Sequence, residues 1–316
     1  MEKVKVALIG YGHLGKWHAQ KADQLENSEL VAIVESFPQN QQAAKEAHPN
    51  VKVVEDLNEV INEIDAALIV TPTSLHFDIA KDLLKANKHI FCEKPLCSSL
   101  QQAQELSQYK KDVKLQVGHS ERCHAAWEEL RPTFTELPAN KMIRLQRFAP
   151  FKGRATDVDV VQDLMIHDID LLLYLFPHKI KSVRALGQKI RTANWDHVTA
   201  HFYFENGDEA MIVSGRNHVK EERSLEVMSE KGCHFVDLFQ NKISYATHGQ
   251  FDSGEYVQTH SYEKRDHLLI EQKAFYESIL QDKKEFVTYE DGVAAIKIIE
   301  CVLKSLDTHQ EVQIND

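Results

Sequence analysis

Residues 4–15 read Val-Lys-Val-Ala-Leu-Ile-Gly-Tyr-Gly-His-Leu-Gly, and this stretch decides the fold. Val4–Ile9 is a compact apolar run of strand length, and a helical pattern over 14–25 follows the glycines. Between them, Gly10-x-Gly12-x-x-Gly15 has the spacing that serves a dinucleotide. Gly10 permits the tight turn, Gly12 lets the backbone approach a pyrophosphate, and Gly15 lets the helix pack closely on the strand. His13 and Leu14 open the helix, where free N–H groups and the dipole favour an anion. Glu35 follows a second apolar run, 30–34, and lies 20 residues after Gly15. A carboxylate there hydrogen-bonds ribose hydroxyls and repels a 2′-phosphate. No Arg or Lys follows until Lys45, so the pattern favours NAD over NADP.

Further apolar runs at 51–54, 66–70, 89–92 and 114–117 alternate with helical patterns at 39–47, 57–63, 74–86 and 100–109. This alternation predicts an α/β N-terminal Rossmann domain with a parallel, doubly wound sheet over residues 1–120. Open sheets of this kind bind ligands at the carboxyl ends of their strands. Two loops fall there. Thr71-Pro72-Thr73-Ser74-Leu75-His76 reads as a turn with Thr73 or Ser74 capping the next helix, and it brings Thr71, Pro72 and His76 to a cofactor. Glu93-Lys94-Pro95 reads either as an exposed charged turn or as a device that sets an ammonium beside a nicotinamide and a substrate hydroxyl.

From residue 141 the alternation stops. Residues 143–148, 183–190, 198–204, 209–215 and 224–228 run as β segments, and Asn206-Gly207 is a strong hairpin turn. Lys231-Gly232 and Gln240-Asn241 mark further turns, and helices are expected at 266–280 and 292–306. The prediction is an α+β C-terminal domain with an open, mainly antiparallel sheet over 121–316. Residues 160–175, VVQDLMIHDIDLLLYL, are apolar around most of a helix and should be largely buried. Asp163, His167, Asp170 and Tyr174 are spaced i, i+4, i+7, i+11, on one face. Asp and His are costly to bury without partners, so this stripe points to an active site, with a satisfied structural network as the plainer alternative.

The whole chain has 316 residues, enough for two domains with proper cores. Its 37 basic and 48 acidic side chains give a net charge of −11, which argues against nucleic acid or an anionic membrane as a partner. No apolar run approaches the roughly 20 residues of a spanning helix, and the N-terminus enters a strand without signal-peptide organisation, so a cytoplasmic location is expected. Seventeen histidines invite a metal, and His119, Cys123 and His124 fall together in HSERCH. Yet the five cysteines are scattered, form no C-x₂-C pair and complete no zinc ligand set. No metal is expected, and the cysteines are expected to be reduced.

Taken together, GYGHLG at 10–15, Thr71-Pro72 with His76, Glu93-Lys94-Pro95 and Asp163-x-x-x-His167 resemble the Gfo/Idh/MocA family of NAD(P)-dependent oxidoreductases. The resemblance covers essentially the whole chain. It implies Lys94 and His167 as the catalytic pair with Asp163 beside them. It also implies a sugar or nucleotide-sugar substrate, and a sheet face that builds a homodimer or homotetramer. Gly118-His119-Ser120-Glu121-Arg122, followed by DVDVVQDLMIHDID at 157–170, is similar to a narrower branch reading GHxERFNP and DVGVVxDLxIHDID. That branch includes UDP-N-acetylglucosamine 3-dehydrogenases, which serve lipid A diamino-sugar synthesis. Cys123-His124-Ala125 replaces Phe-Asn-Pro here and Asp159 replaces Gly, so Cys123 and His124 read as substitutions in a helix start. The resemblance thus implies NAD-dependent oxidation of a secondary sugar hydroxyl, foremost C3 of a UDP-N-acetyl-hexosamine. The alternatives are a dehydrogenase of a free polyol such as an inositol and a non-catalytic NAD-binding sensor. Arg122, Arg147 and Arg154 are candidates to grip a diphosphate, because arginine binds phosphate bidentately; pairing to nearby acids is the competing role. Of the histidines, only His167 is read as catalytic and His76 as a cofactor-loop residue.

Overall fold

In the computed structural model, which describes residues 2–153, 158–247 and 257–314, the chain divides into two compact units. One runs to Ser120 and takes in Asp266–Ile296; the other comprises Glu121–Arg265 and the residues from Lys297 onward. The expected spans were 1–120 and 121–316; in the structure the chain leaves the first unit after Ser120 and returns to it for 31 residues, Asp266–Ile296.

The first unit is a six-stranded parallel sheet of β1 (Val4–Ile9), β2 (Ser28–Val34), β3 (Lys52–Val54), β4 (Ala66–Ile69), β5 (His89–Glu93) and β6 (Leu115–Gly118), in the order β3-β2-β1-β4-β5-β6. Helices α1 (His13–Gln24), α2 (Pro38–Ala47), α3 (His76–Lys85) and α4 (Leu100–Leu106) lie between the strands in sequence. The order reverses between β1 and β4, which makes the ends of those strands the switch point where ligands bind. β1 is central and buried on both faces, hence its nearly unbroken apolar run. Ala7, Ile9 and Ile69 pack into one core, with Leu83 and Leu84 of α3. Val6, Leu8, Leu68 and Phe91 pack into the other, which Phe275 and Tyr276 complete from α7 (His267–Leu280). Two fully buried aromatic rings of this kind contribute about 1.5–3 kcal/mol each by burial, which explains why the returning segment belongs to this unit.

Two local expectations change. Residues 57–63 form only a short 3₁₀ turn, Leu57–Glu59, capped by Asp56 and Glu59. The loop after β4 continues into a 3₁₀ turn, Thr73–Leu75, before α3; Pro72 precedes that turn, and neither Thr73 nor Ser74 caps a helix.

The second unit carries a nine-stranded sheet built from β7 (Met142–Phe148), β8 (Ile180–Gln188), β9 (His197–Phe204), β10 (Glu209–Gly215), β11 (Glu222–Ser229), β12 (Gly232–Asp237), β13 (Lys242–Thr247), β14 (Val257–Ser261) and β15 (Val312–Gln313). Their order is β14-β13-β12-β11-β7-β10-β9-β8-β15. Only β7 and β10 pair in parallel; the other neighbours are antiparallel. Asn206-Gly207 turns β9 into β10, with Gly207 at φ +86°. Helix α5 (Ala126–Thr135) precedes the sheet, and α8 (Tyr289–Thr308) begins in the first unit and ends in the second. The helix expected over 160–175 begins as a π-helix, Val161–Met165, and becomes α-helical only in α6 (Ile166–Leu175). Among the described residues no helix is long and apolar enough to cross a membrane.

Candidate active site

The three glycines after β1 are required for three different reasons. Gly10 sits at φ +95°, and a Cβ there would come 2.7 Å from the Val70 carbonyl oxygen. A Cβ on Gly15 would lie 2.0 Å from the Gly10 oxygen, so α1 starts with no space between helix and loop. At Gly12 nothing lies within 4 Å of the Cβ position, which leaves the backbone open to a ligand. His13 and Leu14 are exposed in the first turn of α1, and no side chain caps that helix.

Glu35 stands at the end of β2, 6% exposed. Its Oε2 accepts from the Tyr11 N–H at 2.8 Å and from the Asn40 amide at 3.2 Å, and its Oε1 accepts from the Phe37 N–H at 2.8 Å. Two main-chain donors thus fix an anion beside the glycine loop. A cavity of about 820 Å³ opens there, its walls including Gly10, Gly12, Glu35, Ser36, Thr71 and Pro72. That volume suits a cofactor-sized ligand. The Thr71 hydroxyl is buried and meets no hydrogen-bond partner among the described residues. Among the described residues no lysine or arginine lines the cavity, so it offers a ribose a carboxylate and offers a 2′-phosphate no counter-charge.

His13, Leu14, Gly15, His76, Glu93 and Lys94 are not in the walls of this cavity. His76 is 1% exposed, with Nε2 2.9 Å from the Thr71 carbonyl and Nδ1 2.8 Å from the Pro95 carbonyl. Burial lowers its pKa, and a neutral ring, which carries a single N–H, donates to only one of these two carbonyls. This differs from the expected cofactor contact, because its nitrogens are turned toward protein carbonyls. Lys94 is half-buried at the end of β5, and its N–H donates to Glu93 Oε2 at 3.2 Å. Glu93 faces inward: its Oε1 lies 2.8 Å from His18 Nε2, and a Cβ on the neighbouring Gly118 would be 3.2 Å from its carboxyl group.

In the second unit, Asp163 lies in the π-helical turn and His167 in the first turn of α6, both half-buried. Asp163 borders a small cavity of about 70 Å³ together with Arg147, Phe148, Arg216, Glu221 and Arg223. The stripe expected on one helix face is divided. Asp170 is fully buried and grips Arg122, whose Nη2 is 2.6 Å from Oδ1, and the Tyr174 ring lies against Arg122 and Arg131.

The arginines are where the structure departs most from expectation. Arg122 gives Nε and Nη2 to Asp170. Arg147 gives Nε and Nη2 to Asp168 and Nη1 to Glu121 at 2.9 Å. Both guanidinium groups are buried and held by carboxylates, which opposes the diphosphate role expected for them. Arg154 lies outside the described residues. Burial works to raise the Glu121 pKa, but Arg147 and His124 hold it well below the usual carboxylate range. His124 pairs with Glu121 at 3.0 Å and its Nδ1 lies 3.2 Å from the Tyr262 hydroxyl. Sequence reading missed Arg223, which reaches Glu121 at 3.2 Å from a half-exposed position; alternation along β11 was its only signal.

A parallel sheet with a glycine turn at its switch point and a carboxylate at the end of β2, facing the cavity, defines an NAD-binding Rossmann unit of an oxidoreductase. Residues 4–119 match the oxidoreductase family with the NAD-binding Rossmann fold, and residues 144–234 match the GFO/IDH/MocA C-terminal domain. The chain belongs to the Gfo/Idh/MocA family of oxidoreductases. It is 31% identical to UDP-N-acetylglucosamine 3-dehydrogenase of Acidithiobacillus ferrooxidans, over 96% of each chain. It is 25% identical to myo-inositol 2-dehydrogenase of Thermotoga maritima, over 99% of each. The solved structure of the Acidithiobacillus enzyme superposes with a TM-score of 0.88 at 28% identity, covering 98% of this chain and 99% of that one. Scyllo-inositol dehydrogenase of Lactobacillus casei with bound NAD(H) and scyllo-inositol shares the fold, with a TM-score of 0.82 at 23% identity over 99% of each chain.

Proposed function

We propose that the chain catalyses the NAD-dependent oxidation of a secondary hydroxyl on a sugar, with C3 of a UDP-N-acetyl-hexosamine as the leading substrate. The observation that supports this most strongly is the 31% identity over 96% of the chain to a UDP-N-acetylglucosamine 3-dehydrogenase. Bound at the glycine loop, NAD supplies the hydride acceptor. Lys94 donates a hydrogen bond to the substrate oxygen and stabilises the alkoxide charge that develops there. His167, as a neutral imidazole, takes the hydroxyl proton, a task suited to a group that titrates near neutral pH. Asp163, one π-turn earlier, orients this pair or holds a neighbouring sugar hydroxyl. Within the same proposal the enzyme works in the cytoplasm as a homodimer or homotetramer.

A second reading, oxidation of a free polyol such as an inositol, is favoured by one specific observation. Arg122 and Arg147 are already held by buried carboxylates, which removes two expected diphosphate ligands. NADH absorbance with UDP-N-acetylglucosamine, related nucleotide sugars and inositols separates the two, with an aminotransferase and glutamate present to draw off the ketone. The leading proposal expects NADH with the nucleotide sugar. NADH with inositols alone would establish the second reading, and NADH with none of them would sink both.

A further inference from the structure

Three ionisable side chains meet in the interior of the nucleotide-binding unit, away from the cofactor cavity. His18 comes from α1, Glu93 from the end of β5 and Glu271 from α7, and they are 0%, 8% and 1% exposed. One nitrogen or oxygen from each lies within 4.8 Å of those of the other two. Helix α7 is anchored here by Gln116 of β6, whose amide donates to the Glu271 carbonyl at 2.8 Å.

The neighbours settle where the protons are. Gln272 Nε2 lies 3.2 Å from the His18 carbonyl oxygen and 2.9 Å from His18 Nδ1. A carbonyl oxygen only accepts, so the amide nitrogen, not the amide oxygen, must face it; the Tyr276 hydroxyl donates to Oε1 on the other side at 3.1 Å. Nδ1 therefore accepts from the same amide, the ring proton sits on Nε2, and it is donated to Glu93 Oε1 at 2.8 Å. Glu93 Oε2 takes the Lys94 N–H. Glu93 is thus stabilised as an anion. Glu271 is not: among the described residues neither of its oxygens meets a hydrogen-bond partner. A second unsolvated carboxylate beside the first is costly.

We propose that His18, Glu93 and Glu271 form one proton-holding unit in which Glu271 is the neutral acid and Glu93 the anion, so that a single negative charge, oriented by His18, stands behind Lys94. As positioning groups for Lys94 they rest on the reading of Lys94 as catalytic. Burial and the Glu93 charge push the Glu271 carboxyl well above its usual range, with Asp266 adding to the effect. Burial opposes the Glu93 charge, and the His18 hydrogen bond and the Lys94 ammonium favour it. Asp266 in turn pairs with Lys21 of α1 at 2.8 Å. The same three side chains could surround a divalent cation, but an Nε2 that carries a proton has no lone pair to give a metal.

Glu271→Gln keeps the shape and cannot ionise. A carboxyl raised in the folded state binds a proton on folding, so the parent protein loses stability as pH climbs from about 4.3, the unfolded glutamate value, through the folded value. The melting-temperature advantage of Glu271→Gln should therefore be constant below about pH 4 and grow by a few degrees toward alkaline pH. The parent should also show the infrared carbonyl band of a protonated carboxyl at neutral pH, sensitive to deuteration and lost in Glu271→Gln. If the glutamine variant folds poorly, Glu271→Leu tests the same slope. A pH-independent difference, a missing band, or a stoichiometric metal lost with Glu271 would each overturn the proposal. None of these readouts needs turnover, so a chain that oxidises no sugar would sink the proposed function and leave the proton unit standing.

Discussion

Around the glycine loop, Glu35 is held by the main-chain N–H groups of Tyr11 and Phe37, and the cavity beside it is lined by no basic side chain among the described residues. Around the start of α6, by contrast, Arg147 is enclosed by Asp168 and Glu121, and Arg122 by Asp170. In the first unit the backbone supplies the polarity, and a ligand anion must find its positive potential at a helix start. In the second, side-chain charges cancel one another in the interior. A net charge of −11 is compatible with NAD binding because the attraction for the pyrophosphate is local and largely backbone in origin.

The largest expected effect tests the catalytic assignment in the first unit. Lys94→Ala should lower kcat by roughly 10²–10⁴-fold while NAD affinity, followed by fluorescence titration, stays close to the parent value. Near-normal turnover would remove Lys94 from the chemistry. The next effect is structural and belongs to the second unit. Arg147→Ala takes from buried Asp168 its ion-pair partner and from Glu121 one of three, and should cost about 3–5 kcal/mol in urea unfolding. Lys52→Ala, which breaks the exposed pair with Glu63, should cost no more than about 1 kcal/mol. Equal losses for these two would mean that the buried web carries no special weight. Glu35→Ala should weaken NAD binding about tenfold and narrow the preference over NADP, since it removes one charged hydrogen-bond acceptor. Unchanged discrimination between the cofactors would place the selectivity elsewhere in the cavity.

The same contrast governs what was legible in the sequence. β1, the glycine turn and Glu35 are close in the chain and obey local rules of periodicity and spacing, so they could be read directly. The Arg147–Asp168 and Arg122–Asp170 pairs join residues 21 and 48 positions apart, and only the folded sheet decides that these arginines meet acids. Residues 160–175 look like one regular helix, because a π-turn leaves no periodic signature in so short an apolar segment. Glu271 reads as one more polar residue of a late helix; it meets Glu93 only because α7 returns to the first unit.

The smallest effect is a pH dependence, and it follows from the buried web. Glu121 is drawn well below the usual carboxylate range because Arg147 and His124 overcome its burial. Its unfolded value is about 4.3, so the folded state releases the proton more readily than the unfolded chain does. The stabilisation from Glu121 is then fully present above about pH 4.3 and is lost as pH falls through the folded value. Melting temperature measured from pH 7 down to pH 3 should accordingly show an acid limb that is shallower in Glu121→Gln, by a few degrees at the acid end. The glutamine variant should be the less stable protein at neutral pH, since it gives up the Arg147 and Arg223 ion pairs. Parallel acid limbs in the two proteins would show that the charge on Glu121 is not what holds Arg147, and the contrast between a backbone-polarised unit and a side-chain-neutralised one would fail at its central residue.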